Sequence, residues 1–312
     1  MTEQASIIRK KGVSPTVSML FCIMLTLVML LLGKELESAI IKGMSLAALK
    51  IIPTVFPFMV LSDFWISSAK INPKSPIAKA FERLLKINAY ALTALLSGAL
   101  CGFPLGVKFA VGLYKQGAIS EDELSRLSPI VNLPSPAFVI SGVGVGLLGD
   151  MKMGVLLYLS VLVSSLITGF ISSIKKEKSY NSVLISRQSF DLTASVRDAG
   201  LSSLAIASYI IFFSAVTGLV SAIIKNGAIV AIISTLLEVG NATSAIANCG
   251  AFSRSIVLVL IAFALGFSGL SVHLQAFSFL PKEISRKKYI LKKLFIGLLS
   301  ASIIFPFTFF AK

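Results

Sequence analysis

Charge is scarce in this chain. Only 14% of its 312 residues are Asp, Glu, Lys or Arg, where a soluble domain carries about 25%. That is too little to wet a water-facing surface, and the charges are clumped, so soluble globular and disordered classes are excluded. Histidine is nearly absent too. His273 is the one imidazole, and without a second it makes no zinc site. The three cysteines, Cys22, Cys101 and Cys249, lie in apolar stretches and show neither metal-ligand spacing nor a disulfide framework. Nucleophile elbows, phosphate-binding lysine loops, HExxH pairs and dinucleotide-binding glycine loops are missing as well. The chain is therefore not read as an enzyme, and no cofactor or metal is expected. Without a nucleotide motif, ATP-driven transport by this chain alone is not expected either.

What fills the sequence is apolar: 55% of residues, with a mean hydropathy of +0.89. The apolar segments are 16–33, 44–69, 89–114, 129–149, 153–174, 199–224, 227–250, 255–280 and 289–311. Most approach the ~20 residues that span a bilayer as a helix. This predicts an all-α polytopic membrane protein whose first partner is the lipid bilayer. The net charge of +15 follows from basic cytoplasmic loops, so no nucleic-acid partner is expected. Arg9-Lys10-Lys11 precedes the first apolar run. Lys34-Glu35-Leu36-Glu37 follows it, with no small-residue cleavage site, which predicts an uncleaved span with a cytoplasmic N-terminus.

Five segments are interrupted in their middles: Pro53–Pro57, Gly102–Gly106, Asn132–Pro136, Glu238–Ser244 and Gly266–Ser271. Proline removes a helical donor, and unpaired backbone is tolerated at membrane depth only inside protein or beside a polar cavity. The breaks therefore predict an internal pocket. Loop charge supports the same picture. If every segment spans, the basic loop at 175–198 falls outside, against the positive-inside rule. If 89–114 and 227–250 are re-entrant hairpins, that loop and the basic 281–288 both move inside. Whether these two segments span or re-enter is left open by the residues alone. With hairpins, the chain divides into a tail and first helix (1–43), a first repeat (44–174), a cytoplasmic linker (175–198) and a second, inverted repeat (199–312). Paired broken elements in inverted repeats are an architecture of secondary transporters.

Ionisable groups inside such segments are candidate functional residues: Lys50, Asp63, Lys108, Glu238 and His273. Lys50 and Asp63 sit nearer segment ends, where snorkelling also explains them. Gly102, Pro104 and Gly106 would open a half-helix with Lys108 in its first turn, a place where free N–H groups and a cation favour an anion. Gly98, Gly102 and Gly106 also form a smooth face for close helix approach. Glu238 would bind a coupling proton or cation, with Asn241, Thr243 and Ser244 capping the following half-helix. Ser268, Ser271, His273 and Gln275 break an otherwise apolar run, Asn132 and Ser135 occupy the corresponding break of the first half, and Asn132, Ser135, Ser268, Ser271 and Gln275 would orient a bound solute. His273 reads either as a structural hydrogen-bonding residue or as a coupling group.

Gly-Phe-Pro-Leu-Gly-Val-Lys at 102–108, LYKQGAISEDEL at 113–124 and GFSGLSVHLQ at 266–275 resemble the YlbJ/SpoVV sporulation integral membrane protein family, within the wider nucleoside-recognition, or Gate-domain, membrane proteins. The resemblance covers roughly 45–310. It implies a role in spore formation, at the outer forespore membrane, in moving dipicolinic acid from mother cell to forespore. The solute would be a small anion, with Lys108 neutralising it and Glu238 or His273 coupling a proton or cation. The third break, Asn132-Leu-Pro-Ser-Pro136, departs from the pattern of two asparagines and a small residue before the proline. A nucleoside or other neutral solute, or a non-transporting scaffold for sporulation proteins, are the alternatives. Homo-oligomerisation is left open.

Overall fold

A computed structural model describes residues 15–68, 75–174 and 190–310. The basic cluster at 9–11, most of the 175–198 linker, and the side chains of Cys22, Lys50 and Asp63 lie outside the described residues. Every regular element among the described residues is helical. In order they are α1 (Pro15–Leu31), α2 (Gly33–Leu46), α3 (Ile52–Ser68), α4 (Pro76–Leu85), α5 (Leu92–Cys101), α6 (Leu105–Lys115), α7 (Glu121–Val131), α8 (Met151–Ser173), α9 (Leu192–Ile223), α10 (Gly227–Leu237), α11 (Val239–Asn248), α12 (Arg254–Phe267), α13 (Gly269–Phe279) and α14 (Arg286–Ile304). Two π-helical stretches are added, Ala47–Ile51 between α2 and α3 and Ala137–Val145 between α7 and α8.

Four stretches are long and apolar enough to cross a bilayer: Met151–Ser173, Leu192–Ile223, Arg254–Phe279 and Arg286–Phe309. A fifth results if Pro76–Leu85 and Ala89–Cys101, bent by 101°, count as one span. The chain is thus a polytopic α-helical membrane protein. Its surface is built accordingly. On α8, Leu159, Val163, Ile167 and Phe170 face outward, while Ser160, Ser164, Ser165 and Thr168 are buried. Ser164 and Thr168 return their hydroxyl protons to carbonyls one turn back. Small residues inside and large apolar ones outside is the pattern of helices packed in lipid, where no hydrophobic force drives association and close backbone contact replaces it.

Two helical hairpins interrupt the spans. In the first, α5 and α6 fold back at Gly102–Pro104. A Cβ on Gly106 would lie 2.9 Å from Gly98 Cα, so the arms touch through glycine. In the second, α10 and α11 fold back at Glu238, and Gly227 at its base lies against Cys249 Sγ. Each arm has 10 or 11 residues. At 1.5 Å per residue that is about 15 Å, half of the ~30 Å hydrocarbon core. The broken spans follow each hairpin: α7, a non-helical 132–135 and the π stretch in one case, α12 and α13 divided at Ser268 in the other.

The same local contact occurs twice. A Cβ on Gly102, at the first tip, would collide with Ser135 at 2.7 Å. A Cβ on Gly269, in the second broken span, would come within 3.0 Å of the Leu237–Glu238 backbone at the second tip. Both glycines have positive φ, +85° and +73°, which an L side chain resists. The same number of residues separates Gly102 from Glu238 as separates Asn132 from Ser268.

The structure departs from the apolar pattern in three places. Residues 34–43, between the first two apolar segments, are helical, and α2 packs along α9 with Gly43 on Ser214 and Gly218 on Ala39. The acidic stretch at 121–124, which the apolar pattern leaves outside the membrane segment, starts α7. Its capping box pairs the Ser120 hydroxyl with the Glu123 N–H and the Glu123 carboxylate with the Ser120 N–H. Lys293, near the basic start of the last apolar segment, is fully buried.

Candidate functional site

The two tips and the two broken spans meet around one cavity of about 320 Å³. Cys101, Gly102 and Phe103 line it from the first tip, and Glu238, Val239 and Gly240 from the second. Ser135, Ala137, Phe138 and Gly142 come from the first broken span, Val272 and Gln275 from the second. Leu46, Leu49, Ile51 and Pro53 close it from the α2–α3 helix and Ile210 from α9. Both π-helical stretches therefore contribute to its wall. A π turn widens the helix and misaligns its donors and acceptors, a geometry that recurs at functional sites.

The wall is mostly apolar with few polar groups. Glu238 is 4% exposed, and its carboxylate accepts the backbone N–H of Gly240 (2.9 Å) and of Asn241 (2.6 Å). It is thus the N-cap of α11. A carboxylate at a helix N-terminus gains from both free donors and the helix dipole. Asn241, Thr243 and Ser244, expected to cap this half-helix, do not. The Asn241 amide donates to Ser214 Oγ at 3.0 Å, Thr243 Oγ1 donates to the Gly240 carbonyl, and Ser244 is exposed. Gln275 donates through Nε2 to Ser271 Oγ at 3.3 Å, while its buried Oε1 has no partner. Ser135 Oγ accepts the Phe138 N–H at 3.2 Å.

Other expected residues stand off the cavity. Lys108 is where the sequence places it, one turn into α6 with its N–H on the Pro104 carbonyl, but it is half-buried and not part of the wall. Pro104 and Gly106 are buried and not part of the wall, and Gly98 and Gly106 both press on the Val131 carbonyl. Ser268 adopts a left-handed conformation and donates to the Leu265 carbonyl. His273 is buried, its Nε2 lies 2.7 Å from the Phe267 carbonyl, and its ring meets Phe267 and Tyr289 edge-on. Asn132 donates to the Tyr289 hydroxyl at 2.6 Å, and its carbonyl accepts from Lys293 Nζ at 2.9 Å. Sequence reasoning missed Tyr289 and Lys293. No group of three or more His, Cys, Asp or Glu able to hold a metal occurs among the described residues.

A partial similarity connects the chain to the sporulation integral membrane protein YlbJ of Bacillus subtilis (strain 168). The two are 27% identical over 116 residues, which is 37% of this chain and 28% of that protein. The matched part is thus well under half of either length. No family model and no solved structure matches the chain.

Proposed function

We propose that the protein is a secondary transporter whose solute binds between the two hairpin tips. The cavity carries this reading. Half-length helical arms meet with their tips on one space, and that space contains a carboxylate, an unpaired amide oxygen and two aromatic rings. Compact apolar walls with a few placed polar groups are the usual form of a small-molecule site. The recurrence of hairpin, broken span and span supports two repeats, 44–174 and 199–312, of opposite orientation joined by the 175–198 linker, with 1–43 outside them. Alternating access then proceeds by one repeat moving against the other. The similarity to YlbJ supports a place in sporulation, with the outer forespore membrane as the proposed location and the N-terminus in the cytoplasm.

The cavity chemistry favours a small, flat, neutral solute over a dianion. Among the described residues of the wall there is no Lys or Arg, Glu238 already occupies the N-terminus of α11, and Gln275 offers an acceptor. A nucleoside-like solute meets these groups with its own donors. Dipicolinate, which the family resemblance implies, is the second reading. It requires a proton or cation to enter with it, and Glu238 is the group placed to hold one.

Cys101 supplies the test. It is a free thiol in the cavity wall. With Cys22 and Cys249 replaced by serine, uridine or dipicolinate should slow alkylation of Cys101, and the same solute should enter proteoliposomes. Competition between the two decides which class is carried. Failure of both compounds to protect Cys101 or to cross the membrane would refute the reading in favour of a scaffold.

A further inference from the structure

Lys293 is a lysine in the middle of a membrane helix, 0% exposed, with no Asp or Glu among the described residues bonded to it. Its ammonium has three donors and one hydrogen bond, to the main-chain carbonyl of Asn132 at 2.9 Å. That carbonyl belongs to the non-helical segment 132–135, where the backbone of the first broken span has lost its helical partners. Asn132 Oδ1 is buried without a partner, and so is Nδ1 of His273, whose ring meets Tyr289. The Tyr289 hydroxyl takes the Asn132 amide proton. Carbonyls freed by helix unwinding at mid-membrane are ligands for monovalent cations, and here a side-chain cation already lies on one of them.

We propose that this break is a monovalent-cation site filled by the protein's own ammonium. Lys293, from α14, takes the place of a bound sodium or potassium ion. It fixes the carbonyl of Asn132 and so the position of Ser135, three residues on, in the cavity wall. Tyr289 holds the Asn132 amide nitrogen, and Asn132 Oδ1 is left without a partner. No metal cation is needed at this point for the broken span to keep its shape. Lys293 is a positioning residue, since it does not itself line the cavity.

The test is chemical rescue. The full chain in lipid nanodiscs is unfolded thermally in choline, sodium, potassium and ethylammonium chlorides, as wild type and as Lys293→Ala, Lys293→Met and Lys293→Arg. Wild type should be indifferent to the cation. Lys293→Ala should be less stable in choline and regain stability saturably with ethylammonium or a monovalent metal ion small enough to enter. Rescue by a cation is a response that loss of packing alone does not give. Lys293→Arg should stay close to wild type, and Lys293→Met, which keeps the volume without the charge, should not. If Lys293→Ala fails to fold, the contrast between Arg and Met decides. A Met variant as stable as wild type, or an Ala variant whose loss no cation restores, overturns the proposal. None of these measurements needs a transported solute, so failure here leaves the transporter reading intact, and the reverse also holds.

Discussion

Gly106→Ala and Gly112→Ala make the same chemical change in the same helix, and the structure gives them opposite signs. In an open helical position alanine is favoured over glycine by about 1 kcal/mol, because it has less backbone entropy to lose. At Gly112 nothing lies within 4 Å of the added Cβ, so the full gain should appear. At Gly106 the Cβ would stand 2.1 Å from the Val131 carbonyl oxygen and 2.9 Å from Gly98 Cα. Both neighbours are main chain and neither can rotate away, so α6 has to move off α5 and α7. Overpacking of this kind costs about 1–3 kcal/mol or more, which outweighs the propensity gain. The propensity gain is common to both variants, so they differ by the overpacking cost alone, about 1–3 kcal/mol or more. Thermal unfolding in nanodiscs reads the sign directly: the Gly112 variant should melt higher than wild type and the Gly106 variant lower. Should Gly106→Ala also melt higher, α5 and α6 do not close against the end of α7, and the re-entrant hairpin is wrong.

Three further outcomes are expected. Glu238→Ala removes the cap from Gly240 and Asn241 and should cost on the order of 1–2 kcal/mol in thermal stability, with loss of solute protection at Cys101. Arg126, 4% exposed, donates to the carbonyls of Leu85 and Lys86 and to Ser173 Oγ and is paired with Asp122. Arg126→Ala therefore leaves several buried acceptors unmet and should cost about 3 kcal/mol or more, measured by denaturation. In a chain free of native cysteines, Lys115→Cys and Ala251→Cys, both exposed, should react with an impermeant maleimide from opposite sides of the membrane. Labelling from one side would remove the inverted orientation of the repeats.

Four of the five breaks were legible because they rest on residues that disfavour helix, such as Gly102 and Pro104, Pro134 and Pro136, and Gly269; the fifth, expected at Pro53–Pro57, is not there, since α3 runs unbroken from Ile52 to Ser68 with Pro57 inside it. Their place in one cavity was not legible, since it depends on which faces of distant helices meet. Lys108 shows the limit. Its position in the first turn of α6 is readable, but the direction it faces is set by how the hairpin is seated, and that is a tertiary matter. Lys293 was hidden by its neighbours. After Arg286, Lys287, Lys288 and Lys292 it reads as the last of a basic flank, and only the depth of α14 separates it from them. The π stretches left no signal, because Ala47–Ile51 and Ala137–Val145 are sequences that an α-helix accepts equally well.

The paired glycine contacts restrict how the cavity can open. Gly102 touches Ser135, and Gly269 touches the backbone at Glu238, with no side chain between them to slide or bend. Each tip is therefore joined to the broken span of its own half as one solid piece. In the proposed transport cycle a solute would leave by a rocking of these two pieces against each other, and a hairpin lifting alone, like a flap, would tear the contact that seats it.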